Sequence, residues 1–451
     1  MEEDFWKESK VSDIVSNLKP RLSYGVNGNV NGIGNYEVYG EYAQVDAKTY
    51  GGATALYNKK LLNTNLRWEQ SQTFEVGLDI GFLQNRLSFI LDFYSRRTKD
   101  LLTKQALPGY TGFSDIVTNM GTLRNSGFEA EVKANIINKG GFTWDMTANI
   151  TSVANKIISL PYNNVENNRV GGYEVAAGKF PTKWIAGRQE GGKLGELVGY
   201  RQQHVFKDWD DVKQHANLRV DEVANLYGPG LADQINPATG KTYKESSGWQ
   251  PIEPGDACWE DINGDNIING YDRSVMGNIF PNVTGGFSTT FGYKGLSLYA
   301  RFDYALGHTL YNDLKARSLG QYQGQFNIIT DVKDMWSEAN PNSDLTKFYY
   351  ADQLAKKNIT RSNNASTAAD NNSSRYYEKG DYLALREITL SYQLPKSLIS
   401  KAHLTEASVY VTGQNLFYIT GYDGVSPEPA VSTTYGYPTP RTFLFGLSLT
   451  F

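Results

Sequence analysis

The stretch Arg441-Thr-Phe-Leu-Phe-Gly-Leu-Ser-Leu-Thr-Phe451 decides the fold. In an extended chain, successive side chains point to opposite faces. Phe443, Phe445, Leu447, Leu449 and Phe451 therefore share one side, with only small or neutral groups between them. A strand of a soluble sheet seldom presents five large apolar groups and then stops, because such an edge invites aggregation. A strand facing lipid needs this pattern.

Working outward from it, the same period of two recurs along the chain. Phe74, Val76, Leu78, Ile80 and Phe82 alternate with Thr73, Glu75, Gly77 and Asp79. After a Gln84-Asn85 turn, Leu87, Phe89, Leu91 and Phe93 form the next apolar face. Phe128–Ile136 and Trp144–Ile150 repeat the arrangement around Gly140-Gly141. Further strands are expected at 283–293, 296–306, 382–394, 407–417 and 441–451. With 20–27, 36–45 and 198–206 the count is about twelve, each near the ten residues that a tilted strand needs to cross a bilayer. Near Tyr382 the phase breaks. Leu383 and Leu385 share a face, while Ile388, Leu390 and Tyr392 fall in the opposite register, which predicts a β-bulge at Arg386-Glu387. Turns are short at one end (84–85, 140–141, 294–295, 396–401). The connections at the other end are long and polar (157–197, 207–282, 312–379). The fold class expected is all-β: an antiparallel transmembrane β-barrel portion with long extracellular loops. Within those loops, Asn327–Asn340 predicts a short helix and Thr360–Ser374 a mobile tract.

Composition bounds the function. The 451 residues carry 44 Lys+Arg against 48 Asp+Glu, a formal charge of -4, which argues against a nucleic-acid partner. Mean hydropathy is -0.47, and no run of about 18 apolar residues occurs. Barrels tolerate that, since only alternate residues meet lipid. The 30 Tyr, 20 Phe and 8 Trp suit a membrane interface, although a soluble β-sandwich could be as aromatic. One cysteine, Cys258, permits no internal disulfide. The opening MEEDFWKESK has neither the basic nor the apolar region of a signal peptide, so a fragment, a mature piece or an internal start is expected.

Several segments carry a family resemblance. LKPRLSYGVNGNVNGIGN (18–35), LRWEQSQTFEVG (66–77) and NMGTLRNSGFE (119–129) are similar to strands and loops of the SusC/RagA family of TonB-dependent transporters. The most specific likenesses are SRYYEKGDYLALREITLSYQLP (374–395) and VYVTGQNLFYITGY (409–422). The terminal Phe451 resembles the signal read by outer-membrane assembly machinery. The resemblance implies that residues 1–451 are the C-terminal part of such a barrel in the bacterial outer membrane. Plug domain, TonB-binding segment and signal peptide are not expected within them. It further implies import of a glycan or peptide, a SusD-like surface lipoprotein as partner, and coupling to TonB through the N-terminal part. A smaller passive barrel and a soluble carbohydrate-binding β-protein are the competing readings.

The sharpest local motif is Asp261-Ile-Asn263-Gly-Asp265-Asn-Ile267-Ile-Asn269-Gly-Tyr-Asp272. Asp261, Asn263, Asp265 and Asp272, with the Ile267 carbonyl, follow the one-three-five-seven-twelve spacing by which a single loop wraps a hard cation. A structural Ca2+ is expected there, although Asn266 stands where Gly is usual and Asp272 replaces the longer Glu. The family often carries such a loop. The stretch 207–282 around it reads as short of apolar residues, so the ion is expected to hold it in place. No Gly-x-Ser-x-Gly, His-Glu-x-x-His or P-loop motif occurs, and no enzyme is expected. His204 and His215 flank Asp208, Asp210 and Asp211, which suggests a metal site, but the ordinary reading is solvated loop residues. Glu75, Asp79, Asp92, Glu129 and Asp303 would line a lumen. Trp184, Tyr200, Trp209, Trp249, Trp259, Tyr322 and Phe326, in or beside long loops, are the ligand-stacking candidates, against the ordinary reading of loop packing.

Overall fold

A computed structural model describes residues 14–31, 37–50, 53–179, 181–321, 327–348, 373–428 and 437–451. Ten strands form one antiparallel sheet: β1 (Val15–Asn29), β2 (Glu69–Phe82), β3 (Leu87–Ala106), β4 (Asp115–Lys139), β5 (Phe142–Ser159), β6 (Val283–Tyr293), β7 (Leu296–Leu306), β8 (Tyr382–Gln393), β9 (Glu406–Thr420) and β10 (Thr442–Thr450). Each pairs with its neighbour in chain order, the up-and-down topology of a barrel wall.

The register keeps one apolar face continuous. Leu18, Ile80, Phe89, Val132, Ala148, Phe287, Phe302, Leu385 and Phe417 are successive cross-strand partners from β1 to β9. Residues directly opposite one another share a face, so this row lies on one side of the sheet. Phe287 and Phe302 stack at 4.6 Å and Phe93 meets Phe128 at 4.7 Å. The end strand leaves this face bare: Phe445 is 82% and Leu447 60% exposed. The exposed face is what lipid would cover.

The tight turns lie where the alternation places them. Leu83, Gln84 and Asn85 all have positive φ, as do Gly140 and Gly141, and Lys294 and Gly295. Consecutive positive-φ residues match the strand twist of two-residue hairpins. The bulge is also present. Arg301 pairs with Glu387 and Phe302 with Leu385, so Arg386 is the extra residue. Through it, Leu383 and Leu385 join Ile388 and Leu390 on the apolar face.

Other expectations need correction. Of the twelve strands, two lie outside the large sheet. Within 36–45, the described part begins the strand Glu41–Tyr50, which pairs with Ala53–Lys60 as a separate hairpin. The 198–206 stretch splits into Glu196–Tyr200 and Gln202–Val205, paired with Arg273–Asn278 and Ala257–Trp259. Its apolar residues Val198, Tyr200, Val205 and Phe206 are buried among loops rather than in the wall. Several strands also exceed ten residues. β4 has 25 and β3 has 20, since their pairing continues into the loop stems. At 327–340 only Thr330–Asp334 is helical, a 3-10 turn. Beyond it the Trp336 N–H bonds the Leu345 carbonyl and closes a hairpin-like loop instead. The 360–374 tract lies outside the described residues up to 372.

The long connection between β5 and β6 is not short of apolar residues, contrary to expectation. Phe206, Val212, Ala216, Ala224, Leu226, Ile252 and Cys258 pack into one buried cluster; Tyr200, Ala257, Trp259 and Ile268 form another. These residues are spaced for short strands and turns, not for long periodic ones, so no periodicity announces them.

The lipid-facing register makes a direct prediction. In the whole protein, Leu447→Lys should impair membrane assembly, at a cost of roughly 2–4 kcal/mol for a charge near mid-bilayer. Heat-modifiable mobility on gels measures it, and wild-type assembly of the variant would contradict the face assignment.

Candidate functional site

The face opposite the apolar one carries charge. Arg21 on β1 donates from Nε to Asp79 Oδ1 at 2.9 Å and from Nη2 to Asp92 Oδ1 at 2.7 Å, with Glu75 at 3.6 Å. These carboxylates sit on neighbouring strands at the positions that alternate with the apolar row. Lumen-facing groups of a barrel can be polar because water or protein, not lipid, contacts them.

A second cluster sits at the bulge. Arg386 donates from Nη2 to Asp303 Oδ2 at 2.9 Å and to Glu428 Oε1 at 2.7 Å, and from Nη1 to the Tyr418 hydroxyl at 2.9 Å. Its Nε also pairs with Asp303. Tyr418 in turn donates to Glu428 at 2.5 Å. Because one extra residue is inserted, Arg386 and Glu387 both leave the apolar face, and the guanidinium reaches across to β7. The cluster borders a cavity of about 580 Å3 lined on this face by Thr147, Asn149, Ser288, Asp303, Tyr382 and Arg386. The lumen carboxylates were legible in the sequence. Their cationic partners Arg21 and Arg386 were not singled out, although the phase break marks the second.

In the loop lobe, the Asp261–Asp272 segment is folded on itself. Asp261 accepts from the N–H of Gly264 at 2.8 Å and of Asn266 at 2.9 Å. Asp265 accepts from the Ile267 N–H at 2.7 Å and from the Asn263 amide at 2.8 Å. Asp272, fully buried, accepts from the N–H of Ile262 and of Asn269, both at 2.9 Å. Asn266 adopts φ +64°, so it fills the left-handed position usually held by Gly. Pairing with Val220–Asp221 uses the Asn266 and Ile268 carbonyls, which turns the Ile267 carbonyl to the other edge. Burial pushes the Asp272 carboxyl up to about 6, and Asp261 and Asp265 push the same way, against the two N–H donors. These carboxylate oxygens are taken up by backbone N–H groups, and Asp261, Asp265 and Asp272 do not gather within 4.8 Å of one another, so a divalent ion would have to draw the side chains inward.

The ligand-stacking candidates separate by burial. Trp259 is 5% exposed and packs with Tyr200, which is wholly buried. Trp249 meets Tyr243 edge-on at 5.3 Å, and the Arg169 guanidinium lies 3.6 Å over Trp184. Trp209, 48% exposed at the start of a loop helix, presents a free face. Tyr322 and Phe326 lie outside the described residues. His204 on a loop strand and the Asp211/His215 pair on the helix after it converge in space. Burial works against the Asp211 charge, but the Lys207 N–H and the two imidazoles outweigh it and hold the carboxyl below its ordinary value.

An antiparallel wall with one continuous apolar face and one charged face defines a transmembrane β-barrel. Comparison with known proteins is specific. Residues 10–229 match the family described as TonB dependent receptor-like, beta-barrel. TonB-dependent receptor P3 of Formosa agariphila is 28% identical over the whole chain, which covers 40% of that protein. TonB-dependent receptor SusC of Bacteroides thetaiotaomicron is 28% identical, again over the whole chain and 39% of its own length. A structure of the RagAB peptide importer in its open-open state shares the fold, with a TM-score of 0.69 at 23% identity over 99% of this chain and 41% of that one. Residues 10–229 are thus a TonB-dependent receptor β-barrel segment, the whole chain is similar to SusC and shares the RagAB fold, and its compartment is the outer membrane. It spans about two fifths of the length of the curated relatives it matches.

The bulge cluster predicts a stability effect. Arg386→Met in the whole protein leaves Asp303 and Glu428 without their cation and should cost about 1–3 kcal/mol in detergent unfolding. Adding Asp303→Asn should recover part of the loss, as a coupled pair requires. An unchanged unfolding midpoint for Arg386→Met would remove the assignment.

Proposed function

We propose that the whole protein imports a glycan or peptide nutrient across the outer membrane, driven by TonB and not by catalysis. A SusD-like surface lipoprotein would cap the long-loop end and deliver the ligand. The observation that carries this reading is the similarity of the whole of this chain to about two fifths of SusC, together with the shared RagAB fold. The charged inner face supports it, since a hydrated, polar lumen suits polar cargo. RagAB is a peptide importer, which supports peptide as one of the two cargo classes.

Uptake of labelled oligosaccharide and peptide pools by cells carrying or lacking the whole gene tests it. Uptake of one pool should fall on deletion and should fall equally when TonB is removed. A surface lipoprotein should co-purify with the whole receptor. Uptake of both pools unaffected by loss of TonB, together with steady conductance of the whole protein in planar bilayers, would favour the passive barrel.

Within the loop lobe we propose a structural Ca2+ held by Asp261, Asn263, Asp265, Asp272 and the Ile267 carbonyl. The lobe has its own apolar clusters, so the ion's effect should be local. Asp265→Ala should increase proteolysis within 207–282 and leave barrel unfolding nearly unchanged, and chelator should do the same to wild type. Identical cleavage with calcium and with chelator would leave an ordinary Asx-rich turn. Trp209 is the proposed stacking contact for cargo at this end, because its ring face is open.

A further inference from the structure

His204 lies in the strand Gln202–Val205, which pairs with Ala257–Trp259 opposite Cys258. Asp211 and His215 lie on helix α1 (Trp209–Ala216), four residues apart and so on one face. Asp208 caps that helix by accepting the Asp211 N–H at 2.9 Å. Val212 and Ala216, on the adjoining face, are buried against Phe206 and Cys258. Strand and helix are thus fixed relative to each other by packing that does not involve the three polar side chains.

Their ligand atoms meet at one point. His204 Nε2 lies 3.2 Å and His215 Nδ1 2.7 Å from the same oxygen, Asp211 Oδ1. The other carboxylate oxygen accepts the Lys207 N–H at 2.9 Å, which fixes its orientation. The imidazole rings are edge-to-face with centroids 5.3 Å apart. All three ligand atoms lie within 4.8 Å of one another, and among the described residues no other trio of His, Cys, Asp or Glu side chains does so.

We propose that His204, Asp211 and His215 form a binding site for a divalent transition cation of borderline softness, with Zn2+ the type case. Tetrahedral coordination at the usual bond lengths separates neighbouring ligand atoms by about 3.3 Å. Both separations from Asp211 Oδ1, 3.2 and 2.7 Å, lie below that value, so small side-chain rotations open the site. Two imidazoles and one carboxylate favour Zn2+, Co2+, Ni2+ or Cu2+ over Ca2+ and Mg2+, which take oxygen donors. Three protein ligands leave a coordination position vacant. His204 and His215 keep 33% and 44% of their side-chain surface exposed, so that position faces solvent at the loop end. A bound ion would clamp α1 to the strand and offer a Lewis-acidic point to an anionic or amine group of cargo. The site is separate from the all-oxygen loop at Asp261–Asp272.

The whole receptor, tag-free and in detergent, is stripped with chelator and titrated with Zn2+ while Ca2+ is kept in excess. Wild type should bind a single equivalent that Ca2+ does not displace. His204→Gln and His215→Gln should each weaken binding by about tenfold or more. Zn2+ should protect the 201–219 segment from protease in wild type only, and the metal-free cleavage patterns of all three proteins should agree, which shows that the variants fold. Co2+ in place of Zn2+ should give the visible absorption of a low-coordinate ion and lose it in both variants. Equal Zn2+ binding by wild type and both variants, or none by wild type at concentrations that saturate ordinary His-rich sites, would overturn the proposal.

Discussion

Hydrocarbon offers no hydrogen-bond partner to a backbone N–H or C=O, so every strand in it must be paired on both sides. That constraint governs the rest of the structure. It forces neighbouring strands to run in chain order with short hairpins at one end, because each new strand is best paired with the last one. It forces the register to hold across the sheet, since a slip of one residue would turn an entire apolar face to the lumen. It also bears on the two strands at the ends of the sheet. β1 pairs with β2 and β10 with β9, and among the described residues neither has a second partner. In a membrane these two edges require further strands, and the relatives, more than twice as long, have the chain length to supply them.

The bulge at Arg386 shows how the wall satisfies this rule and still gains a specific polar group. A regular β8 would carry Leu383 and Leu385 to lipid but turn Ile388, Leu390 and Tyr392 inward. One inserted residue restores the apolar face beyond it. The inserted residue is an arginine, and its guanidinium is satisfied by two carboxylates and a phenol drawn from β7, β9 and the loop after β9. The same local irregularity thus repairs the outer face and ties the wall to an inner loop.

Legibility in the sequence followed period. Strands such as 73–82 and 441–451 declare themselves because lipid on one side and water on the other force strict alternation, and the phase break at Arg386 was readable for the same reason. The loop lobe obeys no such rule. Val198, Tyr200, Val205 and Phe206 alternate as a wall strand would, yet they fill a small core assembled from segments of two to five residues. The calcium-type spacing was readable because its residues fall within one short segment, 261–272. The His204–Asp211–His215 cluster was readable only as a suggestion, because its geometry depends on where a strand and a helix are placed by buried Phe206 and Val212. Trp259 looked like Trp209 in the sequence, and only packing distinguishes the buried ring from the open one.

The distribution of buried side chains follows from the two solvents. The wall has lipid outside and a polar interior, so its strands need no dry core. Its large apolar residues are exposed once lipid is left aside, as Phe445 is at 82%. The loop lobe has buried clusters of its own and folds like a soluble domain. The largest fully buried side chains, including Tyr200, Phe206, Ile268 and Tyr376, are accordingly in the loops. A lobe with its own cores and polar clusters can change its surface residues without disturbing the register that insertion demands. The wall is bound by that register, so chemical variation falls to the loops and to the inner face, where Arg21, Arg386 and their carboxylates already stand.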